Sequence, residues 1–158
     1  MATYETVITI PRPIAETFAF ISSFDNAWLW DPRTYESTNV TEGPVRVGTR
    51  FVIRGGALKE STVRRLRIPL ALASMHLPYD MTELDPPNRF VLEGENAIYR
   101  YEDHISFAAD GDNTLVTYVA TLELRGPLRI FEWVLKRNFK RIGDDATAGL
   151  AEAVVRGT

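Results

Sequence analysis

Apolar and polar residues alternate over residues 3–10, most of them β-branched, which predicts an opening strand. Pro11 ends it, and Pro13 sits where the first turn of a helix tolerates proline. Ile14, Phe18 and Ile21 follow at helical spacing, flanked by Phe20 and Phe24, so a short amphipathic helix ends near Ser23. A second short helical segment, 25–30, carries Trp28 and Trp30 before Pro32.

From residue 35 to residue 124 the punctuation is that of hairpins. Val47-Gly48, Asp85-Pro86-Pro87-Asn88 and Asp110-Gly111-Asp112-Asn113 favour turns through preset φ, tolerated positive φ or side-chain capping. They separate a strand ending near Val45 from one starting at Thr49, 77–84 from 90–95, and 98–108 from 115–124. Links this short join antiparallel neighbours, since parallel strands need a crossover. Gly126-Pro127 then breaks the last strand and opens a helix expected to reach about Val155. Its apolar stripe runs from Leu128 and Phe131 through Leu135 and Phe139 to Val154 at steps of three and four. At 1.5 Å per residue the helix is about 40 Å long, enough to cross a small sheet.

One segment resists this scheme. Residues 57–75, ALKESTVRRLRIPLALASM, join a basic half (Arg64, Arg65, Arg67) to an apolar one (Leu70, Leu72, Met75). An extended hairpin or short helix at one end of the sheet is expected. A long connection in a small domain is more often functional or mobile than filler.

Composition narrows the function classes. A chain of 158 residues, 45% hydrophobic and 25% charged, suits one globular domain spanning 1–158. A net charge of -3 gives no general attraction to nucleic acid. The absence of cysteine removes disulfides, thiolate nucleophiles and Cys-based zinc sites together. His76 and His104 are too few for a histidine-only metal site, and no cofactor is implied. No stretch approaches the ~20 apolar residues of a membrane span, and the opening residues lack a signal-peptide run. A cytoplasmic protein is the expectation.

Period-two alternation assigns the inward face of the sheet. The last strand contributes Val116, Tyr118, Ala120 and Leu122; its neighbour contributes Tyr99, Tyr101, Ile105 and Phe107, with Asp103 in the same phase. Phe51, Tyr79, Met81 and Phe90 join from the middle strands. Singly these are ordinary core residues. Together they hold many tyrosines, whose hydroxyls need partners when buried, so a semi-polar cavity is expected rather than a dry core. A carboxylate facing such an interior has its pKa raised by desolvation, which makes Asp103 the one catalytic candidate, unless a local bulge turns it outward or an arginine such as Arg100 pairs with it. His104 alternates outward beside Glu102, and His76 falls near the odd insertion. No nucleophile elbow, HExxH, P-loop or GxGxxG occurs.

The element order and the stretches ITIPRPIAETFAFISSFDN, GPVRVGTRF and YDMTELDPPNRFVL, followed by the long helix, resemble the SRPBCC superfamily over essentially the whole chain. That superfamily includes START-like domains, polyketide cyclase/dehydrase-like proteins and the birch pollen allergen fold. The resemblance implies an α+β helix-grip fold. In it a seven-stranded antiparallel curved sheet wraps around a long C-terminal helix, with two short helices after the first strand. It also implies a cavity for sterols, lipids, polyketides or aromatic hormones. The oxygenase members bind metal through residues that have no match here, and the 57–75 insertion departs from the family's short turn.

Binding or carriage of a hydrophobic small molecule is therefore expected, with a cyclase/dehydratase-type enzyme as the alternative and a filled, ligand-free interaction module as a third class. The cavity should reach at least about 300 Å³. Expected ligand contacts are Trp28, Trp30, Phe51, Tyr79, Phe90, Tyr101, Tyr118, Phe131, Leu135 and Phe139. The basic residues Arg125, Arg129, Lys136, Arg137, Lys140 and Arg141, with those of the insertion, add the expectation of a transient membrane contact.

Overall fold

Seven strands form one antiparallel sheet in the computed structural model, which describes residues 1–157. The strands are β1 (Ala2–Ile10), β2 (Thr34–Asn39), β3 (Arg50–Gly55), β4 (Met75–Asp85), β5 (Arg89–Glu95), β6 (Tyr99–Asp110) and β7 (Asn113–Leu124). Their order is β1-β7-β6-β5-β4-β3-β2. After β1 the chain crosses to the far edge through α1 (Ile14–Ser22) and a 3-10 helix, Phe24–Leu29. It then meanders back, so that β7 pairs with β1 from Ala2↔Leu122 to Ile10↔Thr114. The expected antiparallel helix-grip architecture is what forms, and the reason is local: tight turns such as that at Gly111, with φ 61°, leave no room for a crossover.

Two boundaries differ from expectation, and the insertion takes the helical of the two forms expected. The strand expected to reach Val45 stops at Asn39, and residues 40–49 loop back with Gly48 at φ 90°. The insertion folds as two short helices, α2 (Glu60–Arg65) and α3 (Leu70–Ala73), of which only Val63 is buried. The long helix comes in pieces: a 3-10 turn, Gly126–Phe131, then α4 (Glu132–Thr147) and α5 (Leu150–Gly157). A 3-10 turn advances three residues per turn, so a stripe set for 3.6 cannot stay on one face through it. Leu128 and Phe131 accordingly point away from the sheet and are exposed.

The main core joins the sheet to α1, the first 3-10 helix and α5. Phe18 meets Phe90 and Phe107 edge-on, with ring centroids 5.9 and 5.0 Å apart, and Phe24 meets Phe51 at 6.1 Å. Leu150 and Val154 close it from α5. A smaller cluster of Ala2, Tyr4 and Phe139 holds α4 against β1. Gly143 makes that approach possible, because a Cβ there would overlap the Tyr4 ring.

Candidate functional site

Between α4 and the sheet lies a half-enclosed cavity of about 240 Å³. This is smaller than the 300 Å³ expected, because the tyrosine rings project into the space. Alternation on β6 and β7 sends Tyr101, Asp103, Tyr118, Ala120 and Leu122 into it, and Tyr79 comes from β4. The α4 stripe supplies Leu135, Phe139, Ile142 and Ala146 from the opposite wall.

The polar groups of the wall are few. Asp103 is only 5% exposed, and its Oδ2 accepts a hydrogen bond from the Tyr118 hydroxyl at 3.0 Å. Burial pushes its carboxyl up to about 7, further raised by Asp31, while the Tyr118 bond and the His104 field pull it back. Tyr101 donates to the Pro78 carbonyl at 2.7 Å. Gly94, opposite Tyr101 in the β5–β6 register, permits this, since a Cβ would overlap both the ring and that carbonyl. The rings of Tyr79 and Tyr101 lie 4.6 Å apart. Desolvation raises the pKa values of Tyr79 and Tyr118 well above 10, so both stay protonated at neutral pH and serve as donors. Tyr118 spends its hydroxyl on Asp103, whereas that of Tyr79 has no protein partner among the described residues.

A second polar group sits where the 3-10 helix enters β2. Asp31 Oδ1 accepts from the Arg33 backbone N–H at 2.9 Å and Oδ2 from the Thr34 hydroxyl at 2.8 Å. Burial raises the Asp31 pKa, with these bonds opposing it. Among the described residues Arg33 is the only basic side chain on the cavity wall. It reaches Asp145 on α4 at 2.8 Å and the Ala57 carbonyl, and Lys59 adds a second cation to Asp145 at 2.9 Å. Asp145 thereby ties α4 to the start of the insertion, whose ends, Ala57 and Met75, border the cavity.

The structure thus gathers Tyr79, Tyr101, Asp103, Tyr118, Leu135 and Phe139 around one space. Five other expected contacts lie elsewhere. Phe51 and Phe90 are fully buried in the core beneath α1 and the first 3-10 helix. Trp30 is buried too, backing the Tyr118 ring at 6.3 Å without reaching the cavity. Trp28 (54% exposed) and Phe131 (52%) face outward. His104 lies exposed on the outer face, paired with Glu102. Asp31 and Arg33 fall outside the sequence expectation. The Asp31-Pro32-Arg33-Thr34 sequence carries an Asx-turn signal that places the aspartate, but nothing local announces its position on a cavity wall.

Over residues 1–155 the sequence matches the family model described as polyketide cyclase / dehydrase and lipid transport. Solved structures share the fold at low identity. A START superfamily protein from Mycobacterium smegmatis superposes with a TM-score of 0.76 at 10% identity, covering 100% of both chains. TTHA0849 from Thermus thermophilus does so at 0.75 and 16%, covering 99% of each. The di-domain ARO/CYC BexL from the BE-7585A biosynthetic pathway gives 0.66 and 16%, with 98% of this chain matching 47% of that one. No curated protein sequence matches the chain.

Proposed function

Because the chain belongs to the polyketide cyclase / dehydrase and lipid transport family, we propose that it binds and carries a compact hydrophobic molecule in the cavity beneath α4. The observation that carries this reading is a largely apolar space of about 240 Å³ into which a tyrosine hydroxyl, that of Tyr79, projects without a protein partner. A side chain that only filled a core would have its polar tip satisfied. The volume favours a ligand of one to three fused rings over a diacyl lipid, and such sites hold apolar bodies with a few fixed polar contacts. Native mass spectrometry of freshly purified protein is expected to show a bound species lost on denaturation. Protein that arrives empty and binds no member of a panel of small aromatic and polycyclic compounds contradicts the reading.

One observation favours a second reading, an enzyme of the cyclase/dehydratase type. Asp103, in the cavity and titrating near 7, is suited to give or take a proton at neutral pH, with Tyr118 steadying its charged form. In that case Asp103→Asn abolishes turnover of a bound polyketide-like substrate while sparing its binding. Unchanged turnover removes Asp103 from the chemistry.

Carriage also needs a place to load, and an exposed apolar and basic surface beside the cavity supports loading from a bilayer. Ile130 (72% exposed), Phe131 and Trp133 (66%) stand in solvent just before the wall residue Leu135 in the chain. Residues 125–141 hold six basic side chains against the single acidic Glu132, in a chain of net charge -3. Exposed aromatics flanked by cations suit an anionic membrane, where each basic residue is worth about 1 kcal/mol.

A further inference from the structure

The cavity wall can be read for what it leaves unmet. Both oxygens of Asp31 are taken by Arg33 N–H and the Thr34 hydroxyl. Arg33 is committed to Asp145 and the Ala57 carbonyl, Tyr101 to the Pro78 carbonyl, and Tyr4 to Asp144 and Thr147. Two strongly desolvated groups remain without a protein partner among the described residues: the Asp103 Oδ1 and the Tyr79 hydroxyl. The ionisable groups of the wall besides its tyrosines are the carboxyls of Asp31 and Asp103 and the guanidinium of Arg33, and the Arg33 charge is already met from α4 by Asp145. The Nε–H of Arg33 is buried and unpaired, but it lies two residues from Asp31, whose carboxylate opposes any anion brought there.

We infer that the cavity selects a hydrophobic ligand whose polar end donates a hydrogen bond, a hydroxyl or a protonated amine seated on Asp103 Oδ1, and that it turns carboxylates away. This rests on the binding reading and adds the headgroup class to it. A donor fills the open acceptor, and a hydroxyl can also accept from Tyr79. An ammonium further gains the faces of Tyr79 and Tyr101, 4.6 Å apart. A carboxylate meets a like charge in a poorly solvated space and finds no free cation.

The three headgroups differ in pH dependence. Asp103 is faced by Tyr118 from β7, Tyr101 from its own strand, Tyr79 from β4, and Asp31 and Arg33 at the start of β2; Glu102 and His104 flank it on the outer face. The α4 wall is apolar there, and its Asp145 is held by Arg33 and Lys59. Tyr79, Tyr101 and Tyr118 stay protonated over the useful range. Asp103, which carries the open acceptor, changes charge near pH 7, whereas Asp31, also raised by burial, has both oxygens taken by the Arg33 N–H and the Thr34 hydroxyl. Affinity for an amine rises as pH passes through that value and affinity for a carboxylate falls. An alcohol, able to accept from the acid or donate to its anion, changes little.

The test uses the full chain and four matched probes: 2-methylnaphthalene, 2-naphthylmethanol, 2-naphthylmethylamine and 2-naphthoate. Calorimetric affinities at pH 5.5 and 8.5 are expected to rank alcohol and amine above naphthoate by about tenfold or more at the higher pH, the range of a hydrogen bond to a charged group. Asp103→Asn, checked for folding by urea denaturation, should erase the pH dependence of the amine and leave methylnaphthalene unchanged. Tyr118→Phe keeps the carboxylate but removes the bond that lowers it, so the pH dependence of the amine should keep its direction and move to higher pH, which preserves the test should the first variant misfold. Naphthoate binding as well as the alcohol, with methylnaphthalene also bound, overturns the headgroup inference alone. If none of the four binds, the binding reading falls and takes the inference with it.

Discussion

The inner face of the sheet divides into two surfaces that the same strands supply. On β6, Ile105 and Phe107 pack under α1, whereas Tyr101 and Asp103, a few positions earlier, face the cavity under α4. On β7, Val116 belongs to the first group and Leu122 to the second, with Tyr118 at the boundary. The packed half is built of phenylalanines meeting edge-on; the open half is built of tyrosines. The helices differ in the same way. Phe18, Phe24 and Leu150 fill the packed half, while α4 stands over the open half with Leu135, Phe139 and Ile142, brought close to β1 by Gly143 against the Tyr4 ring. Position along a strand, rather than the strand itself, decides whether a side chain makes core or site.

The largest expected effect comes from the packed half. Phe90 is fully buried, with the rings of Phe18 and Phe107 both 5.9 Å away. Phe90→Ala should destabilise the protein by about 3–5 kcal/mol, read as a lowered urea midpoint. Tyr101→Phe, in the open half, loses only the bond to the Pro78 carbonyl and should cost about 1 kcal/mol. Equal costs for the two changes would erase the distinction between the halves.

The open half should reveal itself next through pH. Asp103 titrates near 3.8 when unfolded and near 7 when folded, so the folded state holds the proton more tightly. Stability is therefore greatest below about pH 4, falls as pH rises toward 7, and is flat beyond. The difference corresponds to roughly 4 kcal/mol. Asp103→Asn, neutral at every pH and still able to accept from Tyr118, should match the parent at pH 4 and exceed it by up to that amount at pH 8. Parallel stability profiles for the two proteins would mean that Asp103 is solvated after all.

How far the sequence foretold this division can be said residue by residue. Strict alternation on β6 and β7 made Tyr101, Asp103 and Tyr118 legible as one face, since side chains of period two have nowhere else to point. Which part of that face would be plugged was not legible. The covering of Phe51 and Phe90 depends on where α1 and the first 3-10 helix land after crossing the sheet, a tertiary matter. The register shift between Met81 and Glu83 and the tight turn after Gly126 each changed a phase that periodicity had assumed constant. Asp145 and Arg33 meet across 112 positions, and no local pattern announces a pair that distant.

That pair sets the third expectation. Asp145 accepts from Arg33 and Lys59 and so fixes the head of the insertion to α4, at the border of the open half only. Asp145→Ala leaves the largely buried Arg33 without its partner on α4 and should cost about 2 kcal/mol. Faster release of a bound fluorescent probe in stopped flow should accompany the loss if residues 57–75 gate the cavity. A variant that loses stability yet releases the probe at the parental rate makes the contact a brace and ends the gate idea. Replacing residues 59–73 with a short glycine-containing turn tests the same point from the other side. The fold should survive, because Val63 is the one fully buried side chain among them.

The smallest expected effect on stability, and the sharpest separation of stability from function, lies at the outer border of the open half. Ile130, Phe131 and Trp133 stand in solvent, and exposed positions of this kind usually change stability by no more than about 0.5 kcal/mol each. The triple variant Ile130→Ser, Phe131→Ser and Trp133→Ser should therefore unfold at nearly the parental urea concentration. Its vesicle binding should differ sharply. Co-sedimentation with vesicles of phosphatidylcholine and phosphatidylglycerol is expected for the parent and lost in the variant. Both should fail to sediment with phosphatidylcholine alone, since the six basic residues of 125–141 need an anionic surface. Raising the salt should weaken the parental binding in step with charge screening. If the parent ignores anionic vesicles but forms a dimer that the triple substitution dissolves, the apolar patch is an interface between copies of this chain, and the membrane contact is excluded.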